Sequence, residues 1–218
     1  MMSAGHVQWR GCLSIHGNFE YIPGYWEWAE DILSHYSGIL DGALLSDVVL
    51  ASLCFYDCSD AFLKAFCDSW CRSTNTLIIP PGELSISLWE LLELGGLPVT
   101  GHLFDEVVPI AECLSPTLDS DARLPRSCRF LLLSSHRLAS HFLDSIVYEE
   151  NVYCAAFLSC WLCVFVLPVE PLFFIRASVF KMASILAKGS RVSLAPPVLA
   201  YIYRSLSQIS LSECTGEP

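Results

Sequence analysis

The alternation of apolar and polar positions becomes regular after Pro23. Trp26, Ala29, Leu33 and Tyr36 recur at intervals of three and four residues, which predicts a helix over about residues 23–38. A second apolar stretch at 43–55 carries Leu44, Val48 and either Ala51 or Ser52 at helical spacing. Ser59 has a hydroxyl that can accept from an early amide, so it caps a third helix over 60–70. Further on, the pattern predicts a helix at 127–143 and a strongly apolar stretch at 152–169. A helix opened by Pro171 runs to Lys188 and ends at Gly189, and a last one spans 197–206. No internal repeat is visible.

The clearest local grammar lies between Thr74 and Pro98. Thr76-Leu77-Ile78-Ile79 and Leu84-Ser85-Ile86 are short β-prone runs joined by Pro80-Pro81-Gly82, a turn in which proline fixes φ and glycine supplies a positive one. That reads as a hairpin over about residues 75–87. Ser87 and Glu90 then form a Ser-x-x-Glu capping box ahead of Leu88, Leu91 and Leu92, and Gly95-Gly96 with Pro98 stops the short helix. The expected fold is therefore mainly α, a multi-helix globular domain with one small β-hairpin. It is read as a single domain over 1–218, with two subdomains as the alternative. In that case the joint falls near 109–125, where Ser, Pro, Asp and Thr dominate.

Composition narrows the class. Hydrophobic residues make up 53% of the chain and charged ones 16%, far from the regime in which a chain cannot offset its ordering entropy. Lys plus Arg number 12 against 23 Asp plus Glu, a formal charge of −11. No two basic residues are adjacent, so the clustered cations that displace counterions from a phosphate backbone are missing. Direct nucleic-acid binding is disfavoured, and a patch assembled from Arg123, Arg126 and Arg129 is the one exception left open. The same balance argues against an anionic membrane surface. Eleven cysteines are an odd number in a long chain, and residues 1–12 contain His6, Gln8 and Arg10 rather than an apolar signal core. A reducing compartment fits, with most thiols acting as small buried hydrophobes.

Each candidate chemistry has a plainer rival. Residues 152–169 are uncharged for 18 positions, the lower edge for a membrane span. Ser159, three cysteines and Pro168 interrupt them, however, and Glu149, Glu150 and Glu170 flank them, so a buried core helix is preferred. The pairs Cys54/Cys58, Cys67/Cys71 and Cys160/Cys163 share helical faces and could each offer two thiolates to zinc, but lack the tight knuckle of structural sites and a matching histidine pattern among His102, His136 and His141. No Gly-x-Ser-x-Gly elbow, Gly-x-Gly-x-x-Gly loop or Walker pattern occurs. Asp105-Glu106 and Glu149-Glu150 are neighbours that point in different directions, as solvated surface carboxylates do. No catalytic, cofactor-binding or metal-binding residue is assigned.

Several separate blocks carry a family likeness: Tyr25-Trp26-Glu27-Trp28, residues 65–76 (Ala-Phe-Cys-Asp-Ser-Trp-Cys-Arg-Ser-Thr-Asn-Thr), residues 81–90 and Gly96-Leu97-Pro98-Val99-Thr100-Gly101. It resumes at residues 156–162, 186–189 and 194–200. In order and spacing they resemble the plant mobile domain, often labelled aminotransferase-like, in its retrotransposon-associated branch. The resemblance implies a non-enzymatic role in gene expression, transposon silencing or meristem maintenance, exercised in the nucleus through protein complexes that include a phosphatase-like partner. The alternative it implies is a transposable-element-derived protein associated with DNA. No basic import cluster is present, so nuclear placement rests on the resemblance, with the cytoplasm otherwise. The chain stops soon after Ser212, where the family's domain usually continues with aromatic-rich segments, and a C-terminally truncated copy is expected.

The aminotransferase label would require a Schiff-base lysine beside a phosphate-binding loop. The candidates are Lys64, on an aromatic-striped segment, and Lys181 and Lys188, on a helix ending in glycine without such a loop, so no pyridoxal chemistry and no cofactor is expected. The reading is instead a docking surface. Loss of cover near 198–206 would expose apolar side chains there, and Trp26 and Trp28 cannot both face one side of a helix. One of the two is then available as an interface residue, the plainer alternative being that both are core.

Overall fold

The computed structural model describes residues 5–8, 14–19, 24–55, 59–107, 150–168 and 175–215. The expected helix at 127–143 and the joint at 109–125 lie outside them. The fold is mainly helical with a small hairpin, as the pattern predicts. The chain forms two compact units, the first from the described parts of Met1–Glu20, Cys54–Val99 and Leu194–Pro218, the second from those of Tyr21–Leu53 and Thr100–Ser193.

The second unit opens with α1 (Tyr25–His35), where the Glu27 carboxylate accepts from the Gly24 amide at 2.7 Å. Its inward line runs through Ala29 and Ile32, both fully buried, so the expected stripe is rotated: Trp26 and Leu33 are only half-buried. Tyr36 (φ −115°, ψ 17°) interrupts the predicted helix, and α2 (Ser37–Ala43) follows.

The single helix expected at 43–55 is also corrected. Leu44 adopts a left-handed conformation (φ 60°, ψ 41°), and α3 (Ser46–Ala51) starts afresh behind it. A leucine in that region costs about 1–2 kcal/mol. The kink leaves Leu44 exposed but seals Leu45, Val49 and Leu53 in the core, and burying one such side chain contributes roughly 1.5–3 kcal/mol. The inward line is thus shifted by one residue from Leu44/Val48.

The apolar stretch forms α6 (Glu150–Trp161), which runs on into a π-helical turn at Leu162–Val166, closed by Leu167 donating to the Leu162 carbonyl at 2.8 Å. Val152, Ala155, Phe157, Leu158, Trp161 and Leu162 are all buried and Tyr153 and Cys160 half-buried, so the helix is covered around most of its circumference, as one without a polar face must be. Ser159 resolves its own burial by donating to the Ala155 carbonyl at 2.7 Å. Among the described residues no helix is long and apolar enough to cross a membrane. Beside α6 packs α7 (Phe180–Leu186), preceded by a single 3-10 turn at Ala177–Val179. Arg176, extended at ψ 133°, keeps this helix from reaching back towards Pro171 as predicted. Gly101 approaches the Arg191 carbonyl so closely that a Cβ would sit 2.5 Å from it. That contact lets β7 (His102–Leu103) pair in parallel with β8 (Val192–Ser193).

In the first unit β1 (Gly5–Gln8) and β2 (Ser14–Phe19) are antiparallel, and β2 also pairs with β3 (Cys54–Phe55). Ser59 caps α4 (Asp60–Asp68) by accepting from the Phe62 amide at 3.4 Å. A second small sheet has the order β4 (Trp70–Cys71), β5 (Thr76–Ile79), β6 (Gly82–Leu84). The hairpin register is Leu77 to Leu84 and Ile79 to Gly82, so β6 starts two residues earlier than the sequence pattern suggests. Pro80 and Pro81, which cannot donate, form the turn. Ser85 leaves the strand because its hydroxyl donates to the Asn75 carbonyl at 2.9 Å.

The capping box ahead of α5 (Leu88–Glu93) is complete. Ser87 Oγ accepts from the Trp89 amide at 3.2 Å, while Glu90 accepts from the Ser87 amide at 2.8 Å. The last helix, α8 (Ala195–Thr215), starts two residues before the predicted position and runs well past 206. The Pro98 carbonyl accepts from the Leu194 and Ala195 amides at 2.9 and 3.1 Å, and Pro196 and Pro197 bring no amide that would need a partner in that turn. Trp70 anchors α8 by donating from Nε1 to Ser207 Oγ at 3.1 Å and packing on Tyr203 at 5.5 Å.

Two substitutions separate local from tertiary contributions. Ser87→Ala should lower stability by ~1 kcal/mol, whereas Phe157→Ala should cost about 3–5 kcal/mol. Denaturant midpoints of the two variants should fall in that order.

Candidate functional site

The expected pair Asp105-Glu106 stays at the surface, but each carboxylate has a cation. Arg176 Nη2 meets Glu106 Oε1 at 2.8 Å, Ser178 Oγ donates to the other Glu106 oxygen at 3.1 Å, and Lys181 lies 3.7 Å from Asp105. Arg176 also donates from Nη1 to the Leu167 carbonyl at 3.0 Å and from its amide to Cys163 Sγ at 3.4 Å, while its buried Nε has no hydrogen-bond partner. A carboxylate held between a guanidinium and a hydroxyl is an anchor for the segment after β7, not a proton carrier. Sequence reasoning missed it because 70 positions separate Glu106 from Arg176.

The lysines singled out for Schiff-base chemistry sit in ordinary settings. Lys64 pairs with Asp68 at 3.6 Å across one turn of α4, Lys181 with Asp105, and Lys188 is exposed past the end of α7. Among the thiols, burial pushes Cys154 up to about 12, Cys160 up to about 11 and Cys163 upward, as apolar surroundings disfavour the thiolate. Cys67 is buried on α4 and Cys54 half-buried on β3, while Cys58 lies outside the described residues. Among the described residues no three His, Cys, Asp or Glu side chains gather to hold a metal.

Trp26 and Trp28 do separate, but neither stands out from the surface. Trp28 turns inward, with ring centroids 5.4 Å from Phe157 edge-on and 6.0 Å from Tyr153, and its indole Nε1 is buried without a hydrogen-bond partner. Tyr25 stacks on the other side of Phe157 at 5.7 Å, and burial pushes its hydroxyl far above the usual range despite a hydrogen bond to Ser52. Trp26 is half-buried. Around 198–206 α8 is partly covered, with Val198 buried and Tyr203 held by Trp70.

Exposed apolar side chains occur on several elements, among them Leu103 on β7 and Phe62 on α4, and a group of them lies on the hairpin and α5. Ile78 is 59% exposed, Leu84 56%, Trp89 65% and Leu94 68%, with Leu92 at 37%. Leu88 and Leu91 are half-buried on the side of α5 that faces α8. Trp89, Leu92 and Glu93 stand three and four positions apart, so they form one outward strip. The signal was present in the sequence: a tryptophan one residue after Leu88 cannot share its inward direction.

Among the described residues one thiol departs from the others. Hydrogen bonds from the Ser73 and Thr74 side chains favour the Cys71 thiolate and bring its pKa down to about 7. Alkylation of Cys71, followed at the peptide level by mass spectrometry, should therefore reach half its maximal rate near pH 7. Ser73→Ala removes the largest stabilising contact, so the midpoint should move to higher pH and the rate at pH 7 should drop.

Comparison with curated proteins and comparison with solved structures returned no match. Against family models, residues 45–216 match the plant mobile domain. The span contains the capped hairpin–helix unit, α6 and all of α8, and with them every block on which the resemblance rests except Tyr25–Trp28. The chain belongs to the plant mobile domain family.

Proposed function

We propose that this chain is a non-enzymatic protein-interaction module that docks through the outward side of its hairpin–helix unit. The supporting observation is the exposure of Trp89, Leu92 and Leu94 on a helix fixed at its start by a capping box and, within the same unit, packed against α8. Large apolar side chains standing together on a held element mark interaction sites more often than chance exposure does. A rigid tryptophan supplies the largest contact area at low entropic cost.

Family membership extends the proposal to the setting. The chain acts in the nucleus, in complexes that serve gene expression, transposon silencing or meristem maintenance, with a phosphatase-like protein as partner. Direct contact with nucleic acid is no part of this reading, since the net charge of −11 opposes a phosphate backbone. The alternative, a transposable-element-derived protein associated with DNA, makes the opposite demand on salt.

The full chain, immobilised and exposed to nuclease-treated plant nuclear extract, should retain a phosphatase-like protein identified by mass spectrometry, and retention should change little between 50 and 200 mM salt. Retention of DNA that falls steeply over the same range would overturn the proposal in favour of the alternative.

A further inference from the structure

No lysine or arginine occurs between Arg72 and Arg123, a run that contains the hairpin and the whole of α5. Over the same run Glu83, Glu90 and Glu93 are all exposed. Glu93 follows Trp89 by four positions and Glu90 precedes Leu94 by four, so helical geometry sets a carboxylate beside each of the two most exposed apolar side chains of the hairpin and α5. On the hairpin Glu83 stands directly across from Ile78 in the β5–β6 register. The remaining described cations of this unit are on other elements: Lys64 on α4 in its pair with Asp68, Arg72 in the turn after β4, and Arg204 on α8. On α5 apolar contact area and negative charge are thus interleaved along one strip.

We infer that the partner presents a cationic amphipathic segment, a helix whose apolar side seats on Trp89 and Leu92 while its lysines or arginines meet Glu93 and Glu90. This inference rests on the interaction reading above and adds the chemistry of the partner. A purely apolar occupant would leave two carboxylates at its rim unmatched, and an acidic one would bring like charges together. A cationic segment satisfies both features, and helix-in-groove recognition uses the spacing that Trp89, Leu92 and Glu93 provide. The Ser87 hydrogen bonds keep Glu90 below its ordinary carboxylate range, so its charge persists on mild acidification.

The test uses the full chain and two labelled synthetic peptides patterned as amphipathic helices, one of leucine and lysine and one of leucine and glutamate, followed by fluorescence anisotropy. The lysine peptide should bind, and Trp89→Ala should weaken it by about tenfold with an unchanged melting midpoint. Glu93→Lys, which removes no packing, should weaken the lysine peptide and improve the glutamate one. Binding of the lysine peptide that is indifferent to both substitutions is adsorption to a negatively charged chain and overturns the inference, as does equal binding of the two peptides. The same variants used as bait in nuclear extract keep the two readings apart. If the captured partner is retained equally by Trp89→Ala and Glu93→Lys, this strip is not its dock, although the interaction reading stands. If the partner is lost from both, the strip is its dock.

Discussion

A helix with no polar side must be enclosed, and the architecture of the second unit follows from that. Along α6 the buried positions include five neighbours in a row, Cys154, Ala155, Ala156, Phe157 and Leu158, so no orientation leaves a whole side of the helix to water. It has to be wrapped. Helix α7 lies along it with Met182, Ala183 and Leu186 buried, and α1 contributes Tyr25 and Trp28 to two sides of Phe157. The polar ends of the aromatic side chains are then met, or left unmet, by what lies nearby: Tyr25 reaches Ser52, and the Trp28 indole reaches no acceptor. A buried unsatisfied donor costs about 1–3 kcal/mol, a penalty the surrounding apolar burial offsets.

Among its described residues the first unit has no comparable core helix, and specific contacts tie its elements together. Trp70, 5% exposed, spans the distance from β4 to Ser207 and Tyr203 of α8, and the Tyr203 hydroxyl in turn meets Ser85 at 2.8 Å and the Ile86 carbonyl. The residues between hairpin and α5 are therefore tied to α8 from one side. The opposite side of α5 is left to Trp89 and Leu92, so the same contacts that fix the helix also determine which of its residues remain outside.

Legibility in the sequence tracked the range of the determining interaction. The Ser87–Glu90 box, the Ser59 cap and the hairpin around Pro80-Pro81 are decided within four or five residues, and the pattern predicts each of them. Leu44 is different: nothing beside it demands a left-handed leucine, and the conformation is selected by the core that receives Leu45 and Val49. The Arg176–Glu106 anchor also depends on a partner far along the chain. For the candidate surface, Trp26 and Trp28 drew attention because they are close together, yet periodicity alone cannot tell that Phe157 waits beside one of them. Trp89 is readable as outward from its step off the Leu88/Leu91 line, one position from a residue that faces α8.

The π-helical turn at Leu162–Val166 amounts to one residue more than an α-helix of the same length needs. Such a turn is how a helix carries an inserted amino acid without being broken: the surplus is absorbed in a wider loop of backbone, and every later residue is rotated by roughly 100° relative to an uninterrupted helix. In this chain the rotation leaves Phe165 partly outside and beside Tyr25, at 4.9 Å, while Val166 is buried. Aligned against a chain with a plain helix here, this segment should show a one-position gap between Trp161 and Pro168, with the buried pattern in register before the gap and after it.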